Sequence, residues 1–334
     1  MSDSAIIGHS VKRVDLLGKV TGTAQYAGDI QLPGMLHART LRCKVAHAHI
    51  RRIDTTRALA LAGVKAVLTH ENVPRVLHAG SPHPRSSSLA ADQYILDRKV
   101  RYWGEGVAVV AATTEEIAEA ALDLIEVDYE PLPAVFTVED ALAPGAPLLH
   151  EVGPGGNLVI PPFRVTRGDV ERGFAEADLI VEGEYEGGRP TPAYMEPNVC
   201  VCQWDGNGRL TVQLSTQTAF MVRGIMAEVL GLPLHQVRVL VDHMGGGFGA
   251  KQDLFQSEFL CALAGPADAP PGAAGVHAGR NLPGRPFAPS GQGLAQTRLQ
   301  EGRHHHRARG AAGLQLRRLR LARAGRDHRR HQLR

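Results

Sequence analysis

Val237-Arg238-Val239-Leu240-Val241-Asp242-His243-Met244-Gly245-Gly246-Gly247-Phe248-Gly249-Ala250-Lys251-Gln252 is the stretch around which the chain is organised. A β-branched apolar run enters a glycine cluster, and Leu254, Phe255, Phe259, Leu260 and Leu263 follow at helical spacing. That pattern predicts strand, tight loop and helix. The glycines let the backbone adopt positive φ and approach a ligand with no Cβ in the way. The loop is expected to deliver its N–H groups at the N-terminus of the following helix, a setting that suits an anionic or strongly polar oxygen. Phe248 is the one bulky side chain among them and gives the loop an aromatic wall. A phosphate-binding P-loop needs Ser or Thr after Gly-Lys, whereas Ala250-Lys251-Gln252 follows Gly249 here. The dinucleotide fingerprint needs another spacing, near a first strand. A glycine run that only closes a turn is the plain alternative.

With 334 residues and 43% hydrophobic content, the chain has room for two or three domains with real cores. No apolar run approaches the ~20 residues of a membrane span. The start, Met1-Ser2-Asp3-Ser4-Ala5, lacks the basic region and apolar core of a secretory signal, so a cytoplasmic protein is expected. Cys43, Cys200, Cys202 and Cys261 form no C-x-x-C pair. Cys200 and Cys202 share one face of a strand; a metal there would need further partners, and packed reduced thiols are the plain reading.

Charge divides the chain. Of 37 basic and 34 acidic residues, fourteen arginines and three acidic residues fall in 265–334, leaving 23 basic and 31 acidic residues in 1–264. The last seventy residues have no lysine, Ile, Met, Tyr, Trp or Cys, with Val276 and Phe287 the only residues of their kinds. Such a composition buries too little apolar surface to offset its chain entropy, so a disordered tail is expected. It matches GC-rich coding DNA read out of frame, and the shift falls inside a helix-like segment where no domain boundary belongs. A nucleic-acid-binding arm using Arg317, Arg318, Arg320, Arg323, Arg326, Arg329 and Arg330 is the competing reading. His304-His305-His306 then carries no metal-site meaning.

From the start, Val11 to Ala24 reads as a loop, and Leu36 to Leu41 and Ile50 to Ile53 as strands. His47 and His49 read as rim polar groups. Asp54-Thr55-Thr56-Arg57 caps a short helix ended by Gly63, and Val64 to Leu68 and the strongly apolar Val107 to Ala111 are strands. Thr114-Glu115-Glu116 opens an amphipathic helix, and Ile125 to Glu130 alternates as a strand. This is a compact α+β domain over 1–132. Residues 133–163 form an extended linker rich in Pro and Gly. A second α+β segment covers 164–264: a helix over Asp169 to Ala177, a strand over Leu179 to Tyr185, a hairpin of Val199 to Trp204 and Leu210 to Leu214 turned by Asp205-Gly206-Asn207-Gly208, and a helix from Phe220 to Leu230.

These residues carry a resemblance. Gly8-His9-Ser10 with Arg13, Lys19-Val20-Thr21-Gly22 with Ala24 and Tyr26, and Val100-Arg101-Tyr102 with Gly104 and Glu105 resemble the N-terminal α/β-hammerhead domain of the xanthine dehydrogenase/aldehyde oxidase family. Met195-Glu196-Pro197, Ser215-Thr216-Gln217 and Gly245-Gly246-Gly247-Phe248-Gly249 resemble the first part of its molybdenum-cofactor-binding domain. The likeness runs from about residue 8 to 264, and the motifs in this order are far more specific than any one of them.

The resemblance implies a molybdenum–molybdopterin cofactor, in the cytosine dinucleotide form. It also implies a [2Fe–2S] small subunit and an FAD-binding medium subunit as partners, in a dimer of heterotrimers. It places Gln217 near the molybdenum as a hydrogen-bond partner of an oxo ligand, and Gly246, Gly247, Phe248 and Gly249 against the metal centre through their N–H groups. The implied activity is oxidative hydroxylation of an aldehyde or N-heteroaromatic carbon with water as oxygen source. Xanthine-oxidising members carry Glu where Gln252 stands, which weakens the case for a purine and leaves Gln252 beside the substrate. The family's general-base Glu belongs to a C-terminal half with no counterpart here, and the isolated Glu301 cannot replace it. The chain as written is therefore expected to be inactive alone, and 164–264 to be poorly stable alone.

Overall fold

The computed structural model describes residues 7–80, 91–151, 156–158, 167–186, 192–265, 275–278 and 315–323. In chain order the elements are α1 (Leu16–Thr21), β1 (Leu36–Arg42), β2 (Ala48–Asp54), α2 (Thr56–Leu59), β3 (Val64–Thr69), β4 (Lys99–Val100), β5 (Gly106–Ala112), α3 (Glu115–Leu122), β6 (Glu126–Pro131) and α4 (Val138–Leu142). There follow α5 (Val170–Ala175), β7 (Leu179–Glu186), β8 (Cys200–Trp204), β9 (Leu210–Leu214), α6 (Ala219–Leu230), β10 (Val237–Leu240), α7 (Gln256–Leu263), β11 (Gly275–Ala278) and β12 (Gln315–Arg323).

The apolar run at Val107 to Ala111 becomes β5, in which every residue is buried. A strand side chain alternates between faces, and both faces are covered. Val109 and Ala111 enter a core with Leu36, Ala38 and residues of β8, β9, α6 and α7. Val107, Ala108, Val110 and Ala112 enter a second core with Ala118 and Ala121 of α3. The main sheet has the order β10-β9-β8-β11-β1-β5-β3. β10 and β9 run parallel, as do β11 and β1; the other neighbours are antiparallel. A second sheet, β4-β2-β6, backs the first domain, and β7 pairs with β12.

Local signals explain several helix ends. The Thr114 hydroxyl accepts from Ile117 N–H at the start of α3 and the Asp169 carboxylate from Arg172 N–H at the start of α5. Gly231, at φ 68°, closes α6 in the left-handed conformation that its missing Cβ allows.

The structure departs from the sequence reading at three places. Leu16–Thr21 is helical where a loop is expected, closed by Gly22 at φ 74°. The linker holds α4, capped by Thr137, and a small core of Val135, Ala141 and Leu149; Asn157 satisfies the backbone there by bonding Leu149 N–H and the Ala141 and Pro147 carbonyls. The helix after the glycine loop begins only at Gln256. Within the tail the described residues hold two strands, β11 and β12. β11 fills the gap between β8 and β1, whose facing edges would otherwise leave N–H and C=O groups unpaired. β12 carries Leu319 and Leu321 at strand period and sets Arg320 opposite Glu182 in the register with β7. Residues 266–274, 279–314 and 324–334 lie outside the described residues, as does most of 152–166.

Candidate cofactor-binding site

β9 ends at Leu214 and hands the chain to Ser215-Thr216-Gln217; β10, parallel to it, ends at Leu240 and leads to the glycine loop. Two loops leaving the same end of adjacent parallel strands are brought side by side. They are stitched together at each residue. Gln217 N–H donates to the Lys251 carbonyl at 2.8 Å, the Thr216 hydroxyl to the same carbonyl at 3.0 Å and the Thr218 hydroxyl to the Gln252 carbonyl at 2.9 Å.

Gln217 Oε1 in turn accepts from Gly249 N–H at 3.0 Å and, more weakly, from Lys251 N–H at 3.4 Å. With its oxygen engaged by the loop, the exposed carboxamide has its NH2 group left to donate. The expectation that Gly249 offers its own N–H outward is thus corrected, because that N–H is spent on Gln217. The amides of Gly246, Gly247 and Phe248 have no acceptor among the described residues. Gly246, Phe248 and Gly249 sit at φ 94°, 50° and 93°. Phe248 is thereby a bulky residue held in the left-handed region, at a cost of about 1–2 kcal/mol. Its ring, 69% exposed, lies over Gly246 beside Tyr194. Gln252 is half-buried, and its carbonyl serves the Thr218 hydroxyl.

A Cβ on Gly247 would fall 2.6 Å from Gln217 Oε1, and one on Gly245 only 2.5 Å from Glu196 Cβ. The glycines are there for close approach to these two side chains. The helix N-terminus expected behind the loop is absent from it: residues 250–255 intervene, and the Glu258 carboxylate caps α7 by accepting from Phe255 N–H.

Beneath the loop lies a network that sequence reasoning missed. The Lys251 ammonium is fully buried and donates to Glu196 Oε2 at 3.0 Å and to Ser215 Oγ at 2.6 Å. Ser215 Oγ and Gly245 N–H also donate to Glu196 Oε2, each at 2.6 Å. Lys251 Nζ lies 4.7 Å from the centre of the Tyr194 ring. Burial pushes the Lys251 pKa down, while the Glu196 hydrogen bond and charge pull it back up. Both residues lie within or beside recognisable motifs, yet nothing local in sequence marks a lysine as buried.

A cavity of about 320 Å³ adjoins the entry to the loop, lined by Gln25, Tyr26, Asp29, Gln213, Asp242 and His243. His243 Nδ1 bonds the Gln25 carbonyl at 3.1 Å, and the Tyr26 and His243 rings lie 5.7 Å apart. The N-terminal motif therefore abuts the glycine loop. Its other part, Arg101 with Glu105, is internal: Glu105 Oε2 accepts from Arg101 N–H and the Arg101 guanidinium bonds Asp97. His47, expected as a rim group, is instead buried at 3% exposure, with its Nδ1 bonded to the Pro133 carbonyl.

Residues 149–267 match the family description "Molybdopterin cofactor-binding domain", and residues 21–133 match "Aldehyde oxidase and xanthine dehydrogenase, a/b hammerhead domain". The chain belongs to the xanthine dehydrogenase/aldehyde oxidase family. It represents part of the family's molybdenum-binding subunit. It is 37% identical over 261 residues to the nicotinate dehydrogenase large molybdopterin subunit of Eubacterium barkeri, covering 78% of this chain and 59% of that one. It is 34% identical over 255 residues to the xanthine dehydrogenase molybdenum-binding subunit of Escherichia coli O157:H7, covering 75% of this chain and 33% of that one. The crystal structure of quinoline 2-oxidoreductase from Pseudomonas putida 86 superposes with a TM-score of 0.72 at 32% identity, over 86% of this chain and 35% of that one. The chain thus spans between a third and three-fifths of these family members.

The residues present fit a molybdopterin group on two observations: unpaired loop N–H groups and a carboxamide held with its NH2 free.

Proposed function

We propose that this chain supplies the hammerhead domain and the first wall of the cofactor site of a molybdenum hydroxylase catalytic subunit. The observation that carries the reading is the hydrogen bond from Gly249 N–H to Gln217 Oε1, which joins the two motifs on one exposed surface. Molybdenum–molybdopterin, in the cytosine dinucleotide form, would supply the two-electron oxidation, with water as the source of the oxygen. The chain's own part is to bind and orient. Gly246, Gly247 and Phe248 offer N–H donors, Gln217 offers its NH2, and the Phe248 ring keeps water from one side. The Lys251–Glu196–Ser215 network holds both loops at a fixed separation.

The substrate class this supports is an aldehyde or an N-heteroaromatic compound. Gln252, a neutral amide, offers no carboxylate to a purine. Electrons would pass to [2Fe–2S] clusters and FAD on small and medium partner subunits, in a cytoplasmic dimer of heterotrimers. The resemblance assigns the general base and further pterin contacts to the part of the relatives that this chain does not span. The domain division at 132 and 164 belongs to the same proposal.

Equilibrium dialysis against the released pterin cofactor, read by molybdenum content and pterin fluorescence, tests this reading. Retention by the chain that falls at least tenfold in Gly247→Val supports it. No retention by the native chain overturns it.

A further inference from the structure

Cys200 and Cys202, two residues apart on β8, point to the same face of the sheet, and α7 packs Cys261 against them. The three sulfurs lie within 4.8 Å of one another, and each residue is at most 1% exposed. Each thiol donates to a backbone carbonyl: Cys200 to Ser257, Cys202 to Glu258, and Cys261 to Cys200. The surroundings are largely apolar, with Leu214, Phe259 and Leu260 in the same core, and the buried Glu258 carboxyl nearby disfavours added negative charge. The fourth cysteine, Cys43, belongs to the other core.

We propose that Cys200, Cys202 and Cys261 form a binding site for a trivalent thiophilic centre, arsenic(III) or antimony(III). Charge decides among soft ligands. A divalent zinc ion on three thiolates leaves a net negative charge and an open coordination position. A monovalent copper ion on three thiolates leaves two negative charges. Either charge would sit in an apolar core without a cationic partner, which is costly. A trivalent centre on three thiolates is neutral and has no vacant position to fill. The exchange balances without any redox change. Three S–H bonds and three As–O bonds of arsenous acid break, three As–S bonds form, and three waters leave.

The neighbouring Cys202 thiol and burial push the Cys200 pKa well up, and burial does the same for Cys202. That discourages charged metal thiolates, whose ligands must give up protons to form a charged site, but it does not oppose a condensation that ends neutral. Entry is through the last turn of α7, where Cys261 lies next to the helix end and fraying is cheapest. Trp204 Nε1–H pins that turn through the Ala262 carbonyl at 2.9 Å. The thiol cluster sits in the core behind the sheet, away from the glycine loop, so its chemistry does not depend on the proposed function.

The test uses the full chain, reduced with a phosphine and incubated with arsenous acid, then desalted and weighed by native mass spectrometry. The expected product carries one arsenic less three hydrogens, and it melts at a higher temperature than the free chain because a preformed native site binds better than the unfolded thiols. Cys261→Ser and Cys261→Ala are expected to lose that species or hold arsenic with a residual hydroxyl, releasing it at least tenfold faster. Cys43→Ser leaves binding unchanged, and Trp204→Phe quickens uptake. No adduct on the native chain, an adduct that survives Cys261→Ala unchanged, a lowered melting temperature, or zinc bound more tightly than arsenic would each overturn the proposal.

Discussion

Gly249 donates its N–H to the side-chain oxygen of Gln217 across 3.0 Å, although 32 residues separate them. That contact turns two sequence motifs into one surface and sets which end of the carboxamide faces outward. Gln217→Ala removes the acceptor. Deuterium exchange at Gly249 should quicken roughly fivefold, the equivalent of about 1 kcal/mol for a hydrogen bond of ordinary net strength. Gln217→Glu keeps an acceptor and should keep the protection. Exchange mass spectrometry over residues 245–252 reads both.

Two neighbouring glycines should respond differently to the same change. A Cβ on Gly245 would strike Glu196 Cβ, close to the backbone of a packed residue, whereas one on Gly247 would strike the far end of the Gln217 side chain, which can swing away. Gly245→Ala should cost about 1–3 kcal/mol by overpacking. Gly247→Ala should cost less than about 1 kcal/mol yet deprotect Gly249 as Gln217→Ala does. Urea melts paired with exchange data separate fold from site; equal costs for the two variants would contradict the geometry.

The buried ion pair gives a third test. Lys251→Met strands the Glu196 carboxylate beneath the loop and should cost about 3–5 kcal/mol, since the remaining charge keeps its burial penalty without its partner. Lys251→Met combined with Glu196→Gln removes the charge but preserves an acceptor for Gly245 N–H and Ser215. The double variant should regain at least half of the loss. A double variant no more stable than Lys251→Met would place the energy in packing instead.

Stability should fall as pH rises through neutrality. Burial raises the carboxyl pKa of Glu105 and of Glu258 from 4.5 to about 7. Both bind a proton more tightly in the folded chain, so their contribution is complete below pH 4.5 and is lost as pH climbs through about 7. Each shift corresponds to at most about 3 kcal/mol. Glu258→Gln keeps the acceptor for Phe255 N–H and should flatten the slope of unfolding free energy between pH 5 and pH 7 by about half. An unchanged slope would count against a buried protonated Glu258.

The tail has a measurable structural role. A chain ending at residue 264 loses β11, the strand between β8 and β1, and leaves two sheet edges unpaired. It should melt at a lower temperature and in a broader transition by calorimetry than the full chain. An unchanged melt would mean that β11 contributes nothing to the sheet.

Several features were legible from residues alone because their causes are local. Val107 to Ala111 is apolar at every position, and only a strand buried on both faces uses such a run. Asp205-Gly206-Asn207-Gly208 turns a hairpin because its residues tolerate the turn geometry. Thr114 and Asp169 cap helices by reaching their own backbone. The glycine loop announced itself because only glycine permits positive φ without cost.

The misreadings have equally specific causes. Leu16–Thr21 is too short for helical periodicity to show between flanking turn residues. Strands β11 and β12 rest on pairings with β8, β1 and β7, partners that the composition of the tail does not reveal.

Sequence by itself determined the glycine loop, the strands that carry it and the family, because period, turn chemistry and motif order are properties of neighbouring residues. Only the tertiary structure decided that Lys251 is a buried cation held by Glu196 and Ser215, that Gln217 spends its oxygen on the loop, and that Cys261 joins Cys200 and Cys202. Those contacts join residues 32 to 61 positions apart. What they do depends on which strands lie side by side and which helix covers them, and no local run of residues encodes that.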